Sequence, residues 1–372
     1  MVSVWEATDE ALARHLACVD LDLYARTRNL VDGAVSRLSP FLTHGFITVP
    51  EVIEELRRTS SFPDTHKFVY ELAWREYFHH VWGHRGNGIF EGFFAPPGHR
   101  YQTSIPEDIL CACTGVKVID ETVKALYFSG YVHNHARMWL ASYMVHFRKI
   151  HWLTGADWMY GYLLDGDIPS NHLSWQWVAG TLTGRPYLFN AENVARYAPA
   201  LASPGTAIDH DYDECRQIAV GERDVGPEYM VPAPVSPPAL MSVPPEFRDV
   251  RARSQRDAVT LMHPWALRLA RKPALCLLLM EFHDRWPWSE LRWRFLRERL
   301  STLGAVGECI SESDSGAWLQ RFPDPVMAAD HPVYDGVLAR FSRVMPVPRH
   351  FPDPKSLCRS FSVFWNRHCI NS

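Results

Sequence analysis

A proline-rich segment divides this chain into two parts with different hydrophobic patterns. Residues 232–245 read PAPVSPPALMSVPP and hold six prolines. Proline fixes φ and has no backbone N–H, so this segment cannot lie inside a helix or an interior strand. It is typical of an extended linker. The 372 residues suffice for two or three domains, and we place the linker at 216–250, between domains at 1–215 and 251–372.

The two parts differ in the period at which apolar residues recur. Helical periodicity of the first part predicts helices at 50–58, 67–81, 116–128, 133–151 and 156–164. In the second part, predicted strands at 258–262, 274–282, 305–310, 326–329 and 344–347 alternate with predicted helices at 289–303, 316–321, 333–341 and 355–367. This alternation favours a parallel sheet covered on both faces. The fold class is therefore α plus α/β, an all-helical domain followed by a small Rossmann-like domain, although the G-x-G-x-x-G fingerprint is missing.

The composition is that of a folded chain without a membrane span. Apolar residues make up 47% and charged residues 22%, yet no run of about 18 apolar residues occurs. The opening MVSVWEATDEALARH carries acids where a signal peptide is basic, and the eight cysteines are scattered, which predicts reduced thiols in the cytoplasm. The net charge of −4 requires that any binding of nucleic acid use a local basic patch.

Two segments of the helical part place a guanidinium among apolar and polar neighbours on one helix face. In ELAWREYF, Glu71, Trp74 and Arg75 share a face, and in NHARM, Asn134 shares one with Arg137. Burial of the charges on the first face requires that something pair them, and a planar ligand with hydrogen-bonding edges would satisfy the second face. The alternative is a half-exposed surface, with a Glu71–Arg75 ion pair in the first segment.

Two further segments are typical of turns that precede helices. SRLSP at 36–40 places hydroxyl groups at a loop-to-helix junction, which can bind a phosphate or simply cap the helix. DGDIPSN at 165–171 is typical of an Asx turn and lacks the final acid of an EF-hand. His80 and His84 are four residues apart, but no nearby acid completes a metal site, so we predict a solvated helix end and no metal.

Taken together, these motifs resemble the DNA photolyase/cryptochrome flavoproteins. The resemblance covers residues 24–197 and rests on S-R-L-S-P, E-L-x-W-R-E, T-G-x-x-x-I-D, H-N-x-x-R-M and D-G-D-x-x-x-N-x-x-x-W-Q-W, in family order. It implies an all-helical domain that binds FAD. The cofactor-binding residues that the resemblance implies are Tyr24, Ser36, Leu38, Ser39, Arg75, Arg137, Asp165, Asp167 and Asn171.

The resemblance also implies a catalytic pocket beside the cofactor. Asn171 matches the residue that faces flavin N5, and Trp175 and Trp152 match the inner two members of a tryptophan electron chain. The third position falls near His99, so Tyr101 is the nearest oxidisable side chain. The residues that match the pocket for a flipped-out lesion are Glu71, Trp74, Asn134, Met138 and Trp177, and His135 stands where repair enzymes often have an arginine that touches the lesion or DNA.

The domain order differs from that of the family, which begins with its α/β antenna domain. Here residues 258–268, 288–300 and 359–365 resemble parts of that domain, which implies a circular permutation and leaves an antenna chromophore open. We expect a monomeric, light-driven enzyme for cyclobutane pyrimidine dimers in UV-damaged DNA. Asn134 and Met138 favour this lesion, because enzymes for (6-4) photoproducts carry a histidine pair there. A photoreceptor and a flavoenzyme for a small molecule are the alternatives.

Overall fold

The computed structural model describes residues 5–96, 100–225, 234–248, 260–268, 274–320, 327–338 and 343–369. Up to residue 225 the regular structure of these residues is helical. Its helices are α1 (Asp9–Ala17), α2 (Leu21–Thr27), α3 (Ser39–Thr43), α4 (Val49–Arg57), α5 (Lys67–Arg85), α6 (Glu107–Leu110), α7 (Lys117–Ser129), α8 (Asn134–Ser142), α9 (Trp152–Tyr162), α10 (Ile168–Ala179), α11 (Ala191–Tyr197) and α12 (Tyr212–Val220).

Most predicted helices of this part are present with ends shifted by a few residues, but the prediction of one helix over 133–151 is wrong. Helix α8 ends at Ser142 and continues as one π-helical turn, Tyr143–Phe147. Lys149 then adopts a φ of +52°, which a helix does not allow. This reversal brings Ile150 into a parallel bridge with Gln102.

The second part contains a five-stranded sheet in which all neighbouring strands are parallel. The strands of the chain are β1 (Leu240–Met241), β2 (Thr260–Met262), β3 (Ala274–Leu279), β4 (Trp288–Ser289), β5 (Val306–Ile310), β6 (Met327–Ala329) and β7 (Arg343–Met345). The order in the sheet is β5-β3-β2-β6-β7, so the chain winds outward from β2 in both directions. Every residue of β3 is buried, as expected for a central parallel strand.

Helices connect these strands, and two of the predicted boundaries are wrong. The helices are α13 (Pro245–Arg248), α14 (Met280–Arg285), α15 (Glu290–Leu303), α16 (Ser315–Leu319), α17 (Asp335–Leu338) and α18 (Phe361–Cys369). The strand predicted over 274–282 ends at Leu279, because the exposed Glu281 belongs to α14 and does not suit a doubly covered strand. The last helix begins at Phe361 rather than at 355, since the Cys358 N–H donates to His80 Nε2 at 2.9 Å. Predicted positions 258–259, 321, 326 and 339–341 lie outside the described residues.

The proline-rich segment is extended, but it is not a free linker. Its β1 pairs antiparallel with β4, and the Trp293 indole donates to Met241 O at 3.1 Å. On the helical side, the Tyr162 hydroxyl donates to Pro238 O at 2.9 Å. The segment therefore forms hydrogen bonds with both the α/β part and the helical part. Residues 226–233 and 249–250 of the predicted linker lie outside the described residues.

The helical and α/β parts share one hydrophobic core. Phe295 of α15 stacks on Phe46 with ring centroids 5.5 Å apart, and one cluster of buried residues extends across both parts. The His44 ring lies between Pro264 O, at 2.8 Å, and Leu164 O, at 3.1 Å. Among the helices of the described ranges, none combines the length and apolarity needed to cross a membrane.

Candidate functional site

A cavity of about 410 Å³ lies among α3, α5, α8 and α10. Its size falls within the range of roughly 300–1,000 Å³ that is typical of ligand sites. The residues predicted from the sequence that line it are Tyr24, Ser36, Ser39, Glu71, Trp74, Arg75, Asn134, Arg137, Met138, Asp165, Asp167, Asn171, Trp175 and Trp177. Segments far apart in the chain thus bring most of the predicted site together.

Three predicted residues do not line this cavity. Leu38 and Trp152 are both buried in the core, outside the lining of the cavity. His135 does not line the cavity, because its ring packs against Tyr197 and Trp139, and its contact with substrate stays a prediction. Since one residue advances a helix by about 100°, His135 cannot share the face of Asn134.

The D-G-D turn delivers two carboxylates to the cavity, and the first is Asp165. It accepts from Arg137 Nη2 at 2.8 Å and from the Ser39 hydroxyl at 2.5 Å. Its side chain is 3% exposed, so the guanidinium supplies the charge that a buried carboxylate requires. The ion pair that the resemblance implies is present, and its place beside a flavin ring remains a prediction.

The second carboxylate, Asp167, combines a structural and an electrostatic role. It caps α10 by accepting from Ser170 N at 3.2 Å, which makes the predicted Asx turn. It also contacts Arg75 Nη1 at 3.1 Å and His79 Nε2 at 3.0 Å. Burial opposes its charge, but Arg75 and His79 outweigh burial and hold the pKa of Asp167 well below its usual range. The group is therefore a carboxylate at neutral pH.

These contacts correct two readings of α5. Glu71 does not pair with Arg75 but with Arg28 Nε, at 3.3 Å, while Arg75 turns toward Asp167. His79 is not part of a solvated helix end, because its ring forms a hydrogen bond with Asp167, which lines the cavity. The sequence did not predict Arg28 as the partner of Glu71 or Asp167 as the partner of Arg75, since each ion pair joins residues from distant segments.

The hydrogen bonds of the other two histidines of this helix end argue against a metal site. His80 and His84 do meet an acid, Asp353, which the sequence spacing did not reveal. His80 Nδ1 bonds Asp353 at 2.5 Å, and its Nε2 accepts the Cys358 N–H. Nδ1 must therefore carry the proton and cannot bind a metal. His80 is fully buried, so the predicted solvated end is wrong at this residue.

Aromatic rings form two walls of the cavity, and each is supported from behind. Trp74 stacks on Phe361 of α18 at a centroid distance of 3.9 Å and an interplanar angle of 7°. Trp177 stacks on Tyr187 at 5.3 Å and 29°. Each indole therefore has one face covered by the chain itself.

Neutral groups complete the cavity. Asn134 is exposed, and its Nδ2 lies 3.5 Å from Met138 Sδ. Asn171 is 9% exposed and donates from Nδ2 to Ala156 O at 2.8 Å, which fixes the plane of its amide. Neither side chain can act as a general acid near neutral pH.

The two tryptophans of the predicted electron chain are both buried. Trp175, which is 2% exposed, lines the cavity, and Trp152 belongs to the same core cluster. The His151 ring lies 5.7 Å from Trp152 and 6.4 Å from Tyr101. The predicted third position, His99, lies outside the described residues, and Tyr101 stays the predicted outer donor.

The donor set of the cavity fits FAD. The hydroxyls of Ser36 and Ser39 and the guanidinium of Arg75 suit a diphosphate, while the neutral amide of Asn171 and the apolar walls suit an isoalloxazine ring. The sole buried carboxylates of the lining, Asp165 and Asp167, are already balanced by arginines in the described part of the chain. No unpaired buried charge therefore opposes the cofactor.

Comparisons with known proteins agree with this assignment. Residues 68–214 match the model of the FAD-binding domain of DNA photolyase. The chain is 33% identical over 157 residues to a deoxyribodipyrimidine photo-lyase of Streptomyces griseus, covering 42% of this chain and 34% of that protein. It is 34% identical over 191 residues to a cryptochrome DASH of Ostreococcus tauri, covering 48% and 35%. The chain thus spans about a third of the length of these relatives.

Similarity to solved structures is weaker. A cryptochrome of Synechocystis sp. PCC6803 superimposes with a TM-score of 0.48 at 24% identity, covering 59% of this chain and 47% of that chain. The similarity to this family therefore rests on the match to the FAD-binding domain and on the relatives found by sequence. Residues 68–214 are therefore similar to the FAD-binding domain of the DNA photolyase/cryptochrome family, and FAD is the cofactor that this similarity supports.

Proposed function

We propose that this protein is a light-driven DNA repair enzyme that opens cyclobutane pyrimidine dimers. FAD would be held by residues of the cavity that include Ser36, Ser39 and Arg75, and its chemistry there would be light-driven electron transfer to the dimer. The residues around it bind a flipped-out lesion: Trp177 stacks on it, and Asn134 and Glu71 contact its polar edges.

The observation that carries this proposal is the neutral pair Asn134 and Met138, which both line the cavity. Repair of a (6-4) photoproduct requires proton transfer to the lesion, and an amide and a thioether cannot provide it. Opening a cyclobutane dimer needs only the electron, so the pair suits this lesion.

The α/β part is proposed to be the antenna-type domain of the family in permuted order, with domains at 1–215 and 251–372. The strand order, which winds outward from β2 on both sides, supports a Rossmann-like topology. The α/β part also supports one wall of the cavity from behind, since Phe361 stacks on Trp74.

The test is to reduce the purified protein and illuminate it with oligonucleotides that carry either lesion. We expect repair of cyclobutane dimers alone. Trp177→Ala should cost about 1–3 kcal/mol in dimer binding through lost stacking, and Asn134→Ala should also weaken it. Trp158→Ala is the matched control, because Trp158 packs on Tyr127 and Tyr162 and does not line the cavity. Repair of (6-4) lesions alone would overturn the proposal.

A second candidate is a flavoenzyme for a small planar molecule. The covered faces of Trp74 and Trp177, together with the Arg28–Glu71 ion pair, favour a compact substrate. Repair of neither lesion by protein that retains FAD would select this candidate.

A further inference from the structure

A fully buried arginine of the α/β part lies beneath the D-G-D turn. Arg292 belongs to α15, and its Nη2 donates to Gly166 O at 2.6 Å, across 126 positions of sequence. Gly166 is the residue between Asp165 and Asp167. The guanidinium thus holds the middle carbonyl of the turn whose two flanking carboxylates face the FAD cavity.

The surroundings of Arg292 are aromatic. Its guanidinium lies 3.8 Å from the ring centroid of Trp288 and 4.9 Å from that of Tyr160. Among the described residues no carboxylate forms an ion pair with it, and the negative charges that act on it are those of Asp165 and Asp167. Burial of a cation without a contacting anion costs several kcal/mol, so packing alone does not account for an arginine here.

Gly166 and Arg292 are sterically matched. A Cβ at position 166 would lie 2.5 Å from Arg292 Nη1 and 3.0 Å from the carbonyl oxygens of Leu163 and Tyr160. Only glycine lets the turn lie this close to the guanidinium.

We infer that Arg292 is a positioning residue of the FAD site: it fixes the D-G-D turn through Gly166 and adds positive charge beside the two carboxylates. FAD binding thereby depends on the α/β part, although the cavity itself is lined by the helical part. The inference concerns the cofactor and does not depend on which substrate the enzyme takes.

The test is FAD titration of the full chain, with far-UV circular dichroism to verify folding. Arg292→Met should raise the Kd for FAD about tenfold or more, the effect of losing a charge-assisted hydrogen bond. Arg297→Met is the matched control, because Arg297 lies on the same helix but forms surface ion pairs with Glu246 and Glu290. An unchanged Kd in folded Arg292→Met would overturn the inference.

Two further measurements separate positioning from general stability. Gly166→Ala keeps the arginine but displaces the turn, so it should also raise the Kd for FAD. If Arg292→Met does not fold, this variant still tests the inference. Wild-type affinity for FAD in folded Gly166→Ala would overturn it. At saturating FAD, Arg292→Met should shift the flavin reduction potential to more negative values, since a cation near the site is lost. A merely structural arginine predicts a lower Tm with an unchanged potential.

Discussion

Trp175 shows how one small residue sets the position of a redox-active ring. A Cβ at Gly155 of α9 would lie 2.3 Å from the Trp175 ring, so the glycine lets α9 and α10 approach at this point. The indole is held against the cavity with 2% of its surface exposed. This immobile contact with both the cavity and the interior suits a side chain that relays electrons.

Trp175→Phe should nearly abolish photoreduction of oxidised flavin and spare dimer repair by flavin that has been reduced chemically. Phenylalanine keeps the packing but is much harder to oxidise. The measurement is the loss of flavin absorbance under blue light with a reductant. Trp158→Phe is the control, because Trp158 packs on Tyr127 and Tyr162 and does not line the cavity. Equal photoreduction in Trp175→Phe and wild type would show that electrons reach the flavin by another route.

At the scale of elements, α5 connects the cavity to the end of the chain. One side of the helix presents Glu71, Trp74 and Arg75 to the cavity. Aromatic residues of the same helix pack on α18, where Phe361 contacts Tyr70 at 4.9 Å as well as Trp74. A change in α18 is therefore transmitted to a wall of the site.

Phe361→Ala should destabilise the protein by about 3–5 kcal/mol, the usual cost of removing a buried phenylalanine ring. It should also weaken binding of dimer-containing oligonucleotide, because Trp74 loses the ring that holds it. Urea unfolding measures the first effect and a binding titration the second. Val363→Ala, on the exposed side of α18 with 44% of its surface accessible, should change neither. Wild-type stability in Phe361→Ala would contradict the packing described here.

At the scale of the whole molecule, burial of histidines makes the fold sensitive to acid. Burial lowers the pKa of His44 to about 3 and the pKa values of His133, His146 and His263 to about 4. It lowers the pKa values of His283 and His331 well below 6.5. Several of these rings lie in the α/β part or at its contact with the helical part.

Stability should therefore fall as pH decreases from about 6.5 to 4. Over this window the unfolded chain binds protons at these histidines and the folded protein does not, so the free energy of unfolding rises with pH. Each histidine contributes at most about 1.4 kcal/mol per pH unit. Urea unfolding at pH 7.5, 6 and 5 measures the slope. His44→Gln should lower this slope by the contribution of about one proton. A flat profile would contradict the neutral, buried state of these rings.

The segments that carry the site were predicted through the resemblance of their motifs to a known family, while local patterns predicted their secondary structure. The turn at Asp165–Asp167, its cap on α10 and the positions of Asn171, Trp175 and Trp177 along one helix follow from hydrogen bonds and periodicity within a few residues. The same holds for the alternation of strands and helices in the second part. The start of the last helix and the break after Ser142 were missed, because contacts with His80 and Gln102, which are distant in sequence, decide them.

The partners of the charged groups were decided only by the tertiary structure. Sequence spacing allowed Glu71 to pair with Arg75, but folding brings Arg28 to Glu71 and Asp167 to Arg75. Arg292 carries no local signal, because its only contacts with the site cross from one part of the molecule to the other. A buried charge is stabilised by whichever opposite charge or dipole the fold places beside it, and that depends on the packing of segments far apart in the chain.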